Sequence, residues 1–381
     1  MQLIEDSKSL LEAVEKIRAS EWAAVDTEAD SLHHYVEKLC LAQISVPEHD
    51  FVIDPLAGLD FGPLAEALNA KNLIFHGADF DIRMVRKVSP FKPERMFDTM
   101  IAAQLLGYPR QSLADLVERH AGVVLSKSSQ KADWSRRPLT EKMLDYAAKD
   151  THFLKQVSDA MRAELEVLGR LEWHRQSCER ALKGAMIDRD EKSDIEKAAA
   201  WQVKGTKALK GAALTIFKEL WHWREKEAER RDRPPFKTLN TETLFEIAHW
   251  AASKPGEDVA GMPKAPRPVK QEYRESLNQL IQEALEMPQA VWWSPPKPVN
   301  RPKWGEPENK KLLLLKSERE RIGKELNLHP SLLATNAMLE ALILAKPQDP
   351  QAILLAEPWL AWQVELVGES FLKIVHGPKP A

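Results

Sequence analysis

The stretch EWAAVDTEADSL, Glu21–Leu32, opens as a core strand and closes on acids. Trp22-Ala23-Ala24-Val25 is an apolar run of the kind a sheet buries, yet it leads directly into Asp26-Thr27-Glu28. Side chains two apart on a strand share a face, so Asp26 and Glu28 lie side by side. Carboxylates that close repel, and more strongly where water is scarce. Either the strand has already ended and both acids are solvated loop residues, or a positive partner or a shared proton sits between them. These residues alone leave both arrangements open.

Around this stretch, the chain up to about Gly169 mixes strand and helix signals. Glu21–Glu28, Leu39–Val46 and Asp50–Asp54 read as short strands, Phe61–Asn69 as a helix and Asn72–Phe75 as a fourth strand. Helical stretches follow at Asp79–Val88, Thr99–Leu106 and Ser112–Ala121, then a long one from Thr140, with Glu141 in its first turn. Early strands joined by helical crossovers predict a mixed α/β sheet covered by helices. Beyond Gly169 every strong period is helical: Leu171–Met186, Leu209–Arg230, Thr243–Ala252 and Lys270–Glu286, then Glu308–Leu326, Pro330–Leu344, Pro350–Leu354 and Glu357–Val375. Between the last two groups, Met287–Pro307 is too rich in proline for regular structure and reads as a linker. The expected domains are 1–169 (α/β), 170–204 (helical connector), 205–287 (helical), 288–307 (linker) and 308–381 (a second helical domain of similar size).

Bulk composition narrows the class without choosing a partner. Hydrophobic residues make up 44% and charged residues 29%, as in ordinary globular chains. No apolar run approaches the roughly 20 residues of a membrane span, and the first residues carry no basic, cleavable leader pattern. Cys40 and Cys178 match no zinc spacing, which predicts reduced thiols in a cytoplasmic protein. A formal charge of −3 gives no general field for nucleic acid, so any such contact must be local.

Two further acidic signals lie in the first domain. In Ile74-Phe75-His76-Gly77-Ala78-Asp79-Phe80-Asp81 a strand ends at a glycine turn and a helix begins. The dipole favours Asp81 in that first turn whatever its function. In Tyr146-Ala147-Ala148-Lys149-Asp150 the i, i+4 spacing puts hydroxyl and carboxylate on one helix face. Acids at a strand end, a strand–helix junction and a later helix can converge at one sheet edge. Four carboxylates around one point are stable only with cations, and hard oxygen donors select Mg²⁺ or Mn²⁺. A two-metal centre serves in-line phosphodiester hydrolysis.

Asp-x-Glu on a strand, the His-Gly-x-x-Phe-Asp junction and Tyr-x-x-x-Asp on a helix resemble the three motifs of the DEDD exonucleases. The tyrosine is similar to that subclass and not to the one carrying histidine. Phe97-Asp98-Thr99, Ser112–Val117 and Lys127–Leu139 are similar to ribonuclease D. Trp223–Ala228 with Arg230–Pro235, and less distinctly Leu326–Thr335, resemble the helicase-and-RNase-D C-terminal (HRDC) domain.

The resemblance implies an RNase H-like (DnaQ-like) α/β exonuclease domain followed by two all-α HRDC domains. It implies a metal-dependent 3′–5′ exoribonuclease releasing 5′-mononucleotides, acting on RNA 3′ ends such as tRNA precursors, with no membrane and no obligate protein partner. Two Mg²⁺ or Mn²⁺ ions would be held by Asp26, bridging, with Glu28 and Asp150 at one ion and Asp81 at the other. Tyr146 would orient the attacking water. The motif pattern selects Asp81 over Asp79, which cannot share its helix face. His33, Tyr35, His76, Lys131 and Arg137 are the candidate substrate contacts, each with a bland alternative as a structural or solvated side chain; Asp98 suits a helix N-cap. A DNA exonuclease and an inactive nucleic-acid scaffold are the competing functions, and the intact acid set argues against the second.

Overall fold

A computed structural model of the chain describes residues 1–126, 128–187, 199–288, 304–356 and 358–377. Lys127 and the core of the proline-rich segment, with Trp292 and Trp293, lie outside the described residues. The chain forms two compact units. One comprises 1–29, 39–187 and 304–377, the other 30–38 and 199–288.

The first unit is built on a six-stranded mixed sheet. In chain order the strands are β1 (Gln2–Ile4), β2 (Trp22–Ala29), β3 (Leu39–Val46), β4 (His49–Ile53), β5 (Asn72–Phe75) and β6 (Arg95–Asp98), arranged β1-β4-β3-β2-β5-β6. β2, β5 and β6 run parallel, whereas β2–β3 and β3–β4 are antiparallel. Two of these strands were not expected. β1 has three residues and β6 begins and ends on charge, so neither shows a readable period.

Helices cover both faces. α1 (Ser7–Ala19), α2 (Gly62–Asn69) and α3 (Asp79–Arg86) bury Leu10, Val14, Ile17, Leu64, Leu68 and Ile82 in a core shared with Ala23 and Val25 of β2. α4 (Thr99–Leu105) and α5 (Leu113–Ala121) follow β6. The long helix expected from Thr140 is two: α6 (Glu141–His152), N-capped by Thr140, and α7 (Leu154–Val167), with Phe153 between them. α6 packs across β2, β3 and β4, so both faces of β3 are covered and all its residues are buried.

β2 extends past its parallel neighbour. Pairing with β5 ends at Ala24↔Ile74, while pairing with β3 continues through Asp26↔Gln43 and Glu28↔Leu41 to a bulge at Glu28/Ala29. The acidic end of β2 thus stands at the carboxyl edge of the parallel strands, where open α/β sheets place their ligand crevices. The opening ambiguity resolves: the strand has not ended at Asp26.

α8 (Leu171–Ala185) leads out of the α/β domain. The second unit contains α9 (Gly211–Arg230), α10 (Pro235–Thr238), α11 (Thr241–Ser253), α12 (Arg267–Lys270) and α13 (Arg274–Glu286) around their own core of Leu214, Phe217, Leu220, Ile247 and Leu277. Back in the first unit, α14 (Glu306–Glu325), α15 (Pro330–Leu333), α16 (Asn336–Ala345), α17 (Pro350–Leu354) and α18 (Ala361–His376) repeat this order of long and short helices. Pro330–Leu344, expected as one helix, breaks at Ala334 because Thr335 caps a new one. Lys270–Glu286 breaks likewise before Arg274.

One buried arginine marks the repeat. Arg224 in α9 donates to the Leu239 carbonyl and Thr241 hydroxyl, 15 and 17 residues ahead. Arg319 in α14 donates to the Ala334 carbonyl and Asn336 side chain, again 15 and 17 residues ahead. The last helical segment, however, has no separate core. Leu315, Ile322, Leu339 and Phe371 belong to one cluster with Ala102, Leu116, Val157 and Met161 of the α/β domain. Arg170 donates to the carbonyls of both Leu105 and Leu326, and Trp173 stacks on Trp362 at 5.0 Å. Gly107, at φ +72°, permits the closest approach. A Cβ there would stand 2.1 Å from the Asn327 carbonyl oxygen.

Candidate active site

Three of the predicted acids meet at the end of β2. One donor oxygen from each of Asp26, Glu28 and Asp150 lies within 4.8 Å of the other two. β2 supplies the first pair by its alternation, and α6 brings Asp150 down onto the same face. That packing is fixed by Ala147 against Leu41 and Val52 and by the Ser45 hydroxyl bonded to Thr151 at 2.8 Å. Tyr146, one turn before Asp150, shares a hydrogen bond with that carboxylate, and its ring lies 6.0 Å from that of buried Trp134.

Asp81 stands outside the triad, held differently. It is 5% exposed, and the Thr27 hydroxyl donates to its Oδ1 at 2.6 Å. Thr27 points to the α3 face, opposite its neighbours Asp26 and Glu28, so the strand's alternation lets it hold Asp81 at the same strand end. Its field still reaches Glu28, and it feels that of Asp26. Asp79, its rival by sequence, pairs with Arg83 at 2.7 Å.

The junction before α3 is pinned by Asp98. Besides capping α4 through the Met100 and Ile101 amides, its carboxylate accepts from the amides of Gly77 and Ala78. Gly77 has φ +82°, and a Cβ there would press the Met100 methyl at 3.0 Å. Neither Thr27 nor the second pair of Asp98 bonds was read from sequence. The first depends on the pairing of a strand with a distant helix, and the second on a turn folding back over a cap.

The electrostatics of the cluster are one-sided. Burial raises Asp26 to about 7. Burial, then the charges of Asp26, Asp150 and Asp81, raise Glu28 to about 10. Asp150 rises to about 8 through burial and Asp26, partly offset by Tyr146, and Asp81 lies well above the ordinary carboxylate range, mainly through burial. Tyr146 is pushed up by burial and then by Asp150, Glu28 and Asp26. Among the described residues no lysine or arginine offsets these shifts. Close, poorly hydrated oxygen donors without a counter-charge fit a hard divalent cation, whose charge reverses each of these shifts.

The candidate substrate contacts divide. Arg137 is engaged inside the protein. It makes a bidentate pair with Asp54 at 2.5 and 2.6 Å and donates to the carbonyls of Trp134, Arg136 and Cys40, which corrects the expectation of a phosphate-binding arginine. Its planar fork clamps the loop before α6 to the sheet. His76 contacts Thr99 at 3.0 Å. Since the Thr99 hydroxyl already donates to the Phe75 carbonyl, His76 Nδ1 is the donor in that pair. Lys131 is exposed on its loop. His33 and Tyr35 belong to the second unit. There the Tyr35 amide donates to Asp232 at 3.1 Å, its hydroxyl pairs with Glu225, and neighbouring His34 contacts Asp232 at 2.7 Å. Lys142 and Lys149, not singled out from sequence, line a cavity of about 130 Å³ with Ser126, Ser128, Tyr146 and Asp150. A larger cavity, about 520 Å³ at the opposite end of β2 by Trp22, contains none of the clustered acids.

Comparison with known proteins agrees with this geometry. Residues 1–166 match the family model for a 3′–5′ exonuclease, and residues 213–282 match the HRDC domain. Ribonuclease D of Zymomonas mobilis is 30% identical over 385 residues, which cover 98% of this chain and 94% of that protein. This chain belongs to the ribonuclease D family. The crystal structure of Escherichia coli RNase D, described as an exoribonuclease involved in structured RNA processing, superimposes with a TM-score of 0.70 at 25% identity. The match covers 100% of this chain and 99% of that one. Mouse exosome complex component 10 is 34% identical over 299 residues, or 75% of this chain. The chain spans only about a third (33%) of the length of that relative. The chain carries a 3′–5′ exonuclease domain with a helical HRDC region after it.

Proposed function

We propose that this chain hydrolyses RNA from the 3′ end, releasing 5′-mononucleotides, with Asp26, Glu28, Asp81 and Asp150 as the metal ligands. The observation that carries the reading is the Asp26–Glu28–Asp150 cluster with Tyr146 beside it. Two divalent ions, Mg²⁺ or Mn²⁺, would supply an activated water and neutralise charge developing on the phosphate. The chain's own part is positional. Asp26 and Glu28 are fixed by the β2–β3 register, Asp150 by α6 and Asp81 by Thr27. The Tyr146 hydroxyl, held by Asp150, would orient the water that attacks the terminal phosphodiester. Lys142 and Lys149, beside the same cavity, suit the backbone phosphates of the incoming strand.

The substrate assigned is a structured RNA with a free 3′ end, tRNA precursors included, in the cytoplasm and without an obligate protein partner. The repeated buried arginine supports reading 308–381 as a second HRDC-like domain. The deciding experiment uses 3′-labelled, 5′-labelled and circular RNA and the matching DNA, each with Mg²⁺, Mn²⁺ or excess chelator. Metal-dependent release of mononucleotides from linear RNA is expected. Hydrolysis in chelator or cleavage of the circle refutes the reading, and a preference for DNA reassigns the substrate.

A further inference from the structure

Gln43 lies at the centre of β3 and is 0% exposed, and among the described residues neither Oε1 nor Nε2 of its side chain has a hydrogen-bond partner. An amide stripped of water and left unpaired is costly, and an apolar residue of the same size would avoid the cost. Its place in the sheet indicates what it is for. Leu3, Val52, Gln43 and Asp26 form one cross-strand row, in that order, on the face that α6 covers. Directly opposed residues of an antiparallel pair share a face with Cβ atoms about 4.5–5.5 Å apart. On the other side of Gln43 the row is apolar. Along β3 its same-face neighbours are Leu41, which is apolar, and Ser45, already bonded to Asp50 and Thr151. Asp26 is the one polar neighbour left in the row. Its carboxylate accepts from the Thr27 amide, and a carboxylate has room for further donors.

We infer that Gln43 is a positioning residue, whose side-chain amide donates to the Asp26 carboxylate and orients it when that carboxylate would hold a divalent cation. The inference rests on the metal-site reading above. Hydrogen-bond partners of ligating groups orient them, and losing one lowers metal affinity by about 10- to 100-fold.

The test is Mn²⁺ binding by the full chain, read as loss of the free-ion electron paramagnetic resonance signal, for wild type, Asp26→Asn, Gln43→Leu and Gln43→Met. Both Gln43 variants should melt in chelator at or above the wild-type temperature, bind Mn²⁺ about tenfold more weakly, and recover nuclease rate as Mn²⁺ is raised. Wild-type Mn²⁺ affinity in both variants overturns the inference, as does loss of folding in both, which would make Gln43 a packing residue. If wild type and Asp26→Asn bind Mn²⁺ equally, the metal-site reading itself falls.

Discussion

Asp150 and Arg319 are withdrawn from water to the same degree, at 8% and 9% exposed, yet their surroundings are opposite. Arg319, like Arg224 in the other helical segment, donates through Nη1 to a backbone carbonyl and a side-chain oxygen, so the protein that buries it meets that end of its guanidinium, while Nε has no partner among the described residues. Asp150 faces more acid. A buried charge answered by its own fold is a structural part, because removing it orphans its partners. A group of buried charges that the fold leaves unanswered stores a demand for a ligand. The helical segments differ in the same spirit. One closes its own core, while the other completes the core of the α/β domain.

The contrast breaks first at Asp26. Asp26→Asn should lower the single-turnover rate on a 3′-labelled RNA by at least about 10³, the scale of a lost transition-state stabiliser. It should also raise the melting temperature in chelator by relieving Glu28. Tyr146→Phe should cost less, since the carboxylates remain. Equal, small losses in both would mean the centre is elsewhere.

The arginines should respond the other way, in stability and not in chemistry. Truncating Arg224 or Arg319 to Ala leaves buried carbonyls without a donor and should cost about 3 kcal/mol each. Arg319→Ala should destabilise the nuclease domain itself, because their cores are continuous, and denaturant-induced loss of activity reads that directly. Arg224→Ala should leave the activity midpoint in place. If the two variants shift it equally, the difference between the helical segments is wrong.

Protons sharpen the comparison. Asp26, Asp150 and Glu28 keep their protons in the fold up to about 7, 8 and 10, against about 4 for ordinary carboxylates in an unfolded chain. Between those values the folded state binds more protons than the unfolded one, so stability in chelator is full below about pH 4 in this respect and falls as pH rises. The melting temperature in chelator should drop by several °C from pH 6 to pH 9, and Mn²⁺ should flatten the drop. A melting curve independent of pH in chelator would deny that the fold raises these acids.

The smallest effect concerns the basic end of α9. Arg230 and Arg231 pair with Glu227, and Arg231 also with Glu272, whereas Arg233 and Lys237 are exposed beside Phe236 without an ion pair among the described residues. Replacing Arg233 and Lys237 together should lower the salt slope of RNA binding by about one to two ions. Replacing Arg230 should leave it unchanged. The reverse ranking, by filter binding across salt, would show that the ion pairs open on RNA.

By itself the sequence determined the α/β-then-helical order and the motif set, because periodicity, caps and i, i+2 or i, i+4 spacing are local properties. It could therefore put Asp26 beside Glu28 and Tyr146 beside Asp150, while Asp81 was chosen over Asp79 only through the resemblance to the exonuclease motifs. It could not tell that Arg137 turns inward to Asp54, since an arginine in a basic loop has the same local signature whether it meets phosphate or protein. Nor could it read β1 and β6, too short to carry a period, or the tether of Asp81 to Thr27. Gln43 was invisible for the same reason. In CLAQISV it is one of two polar residues, with Ser45, in a buried strand, and only the register of β2 against β3 sets it opposite Asp26. The order of the elements came from neighbours along the chain; the partners of each buried charge came from residues tens of positions away, which only the folded structure brings together.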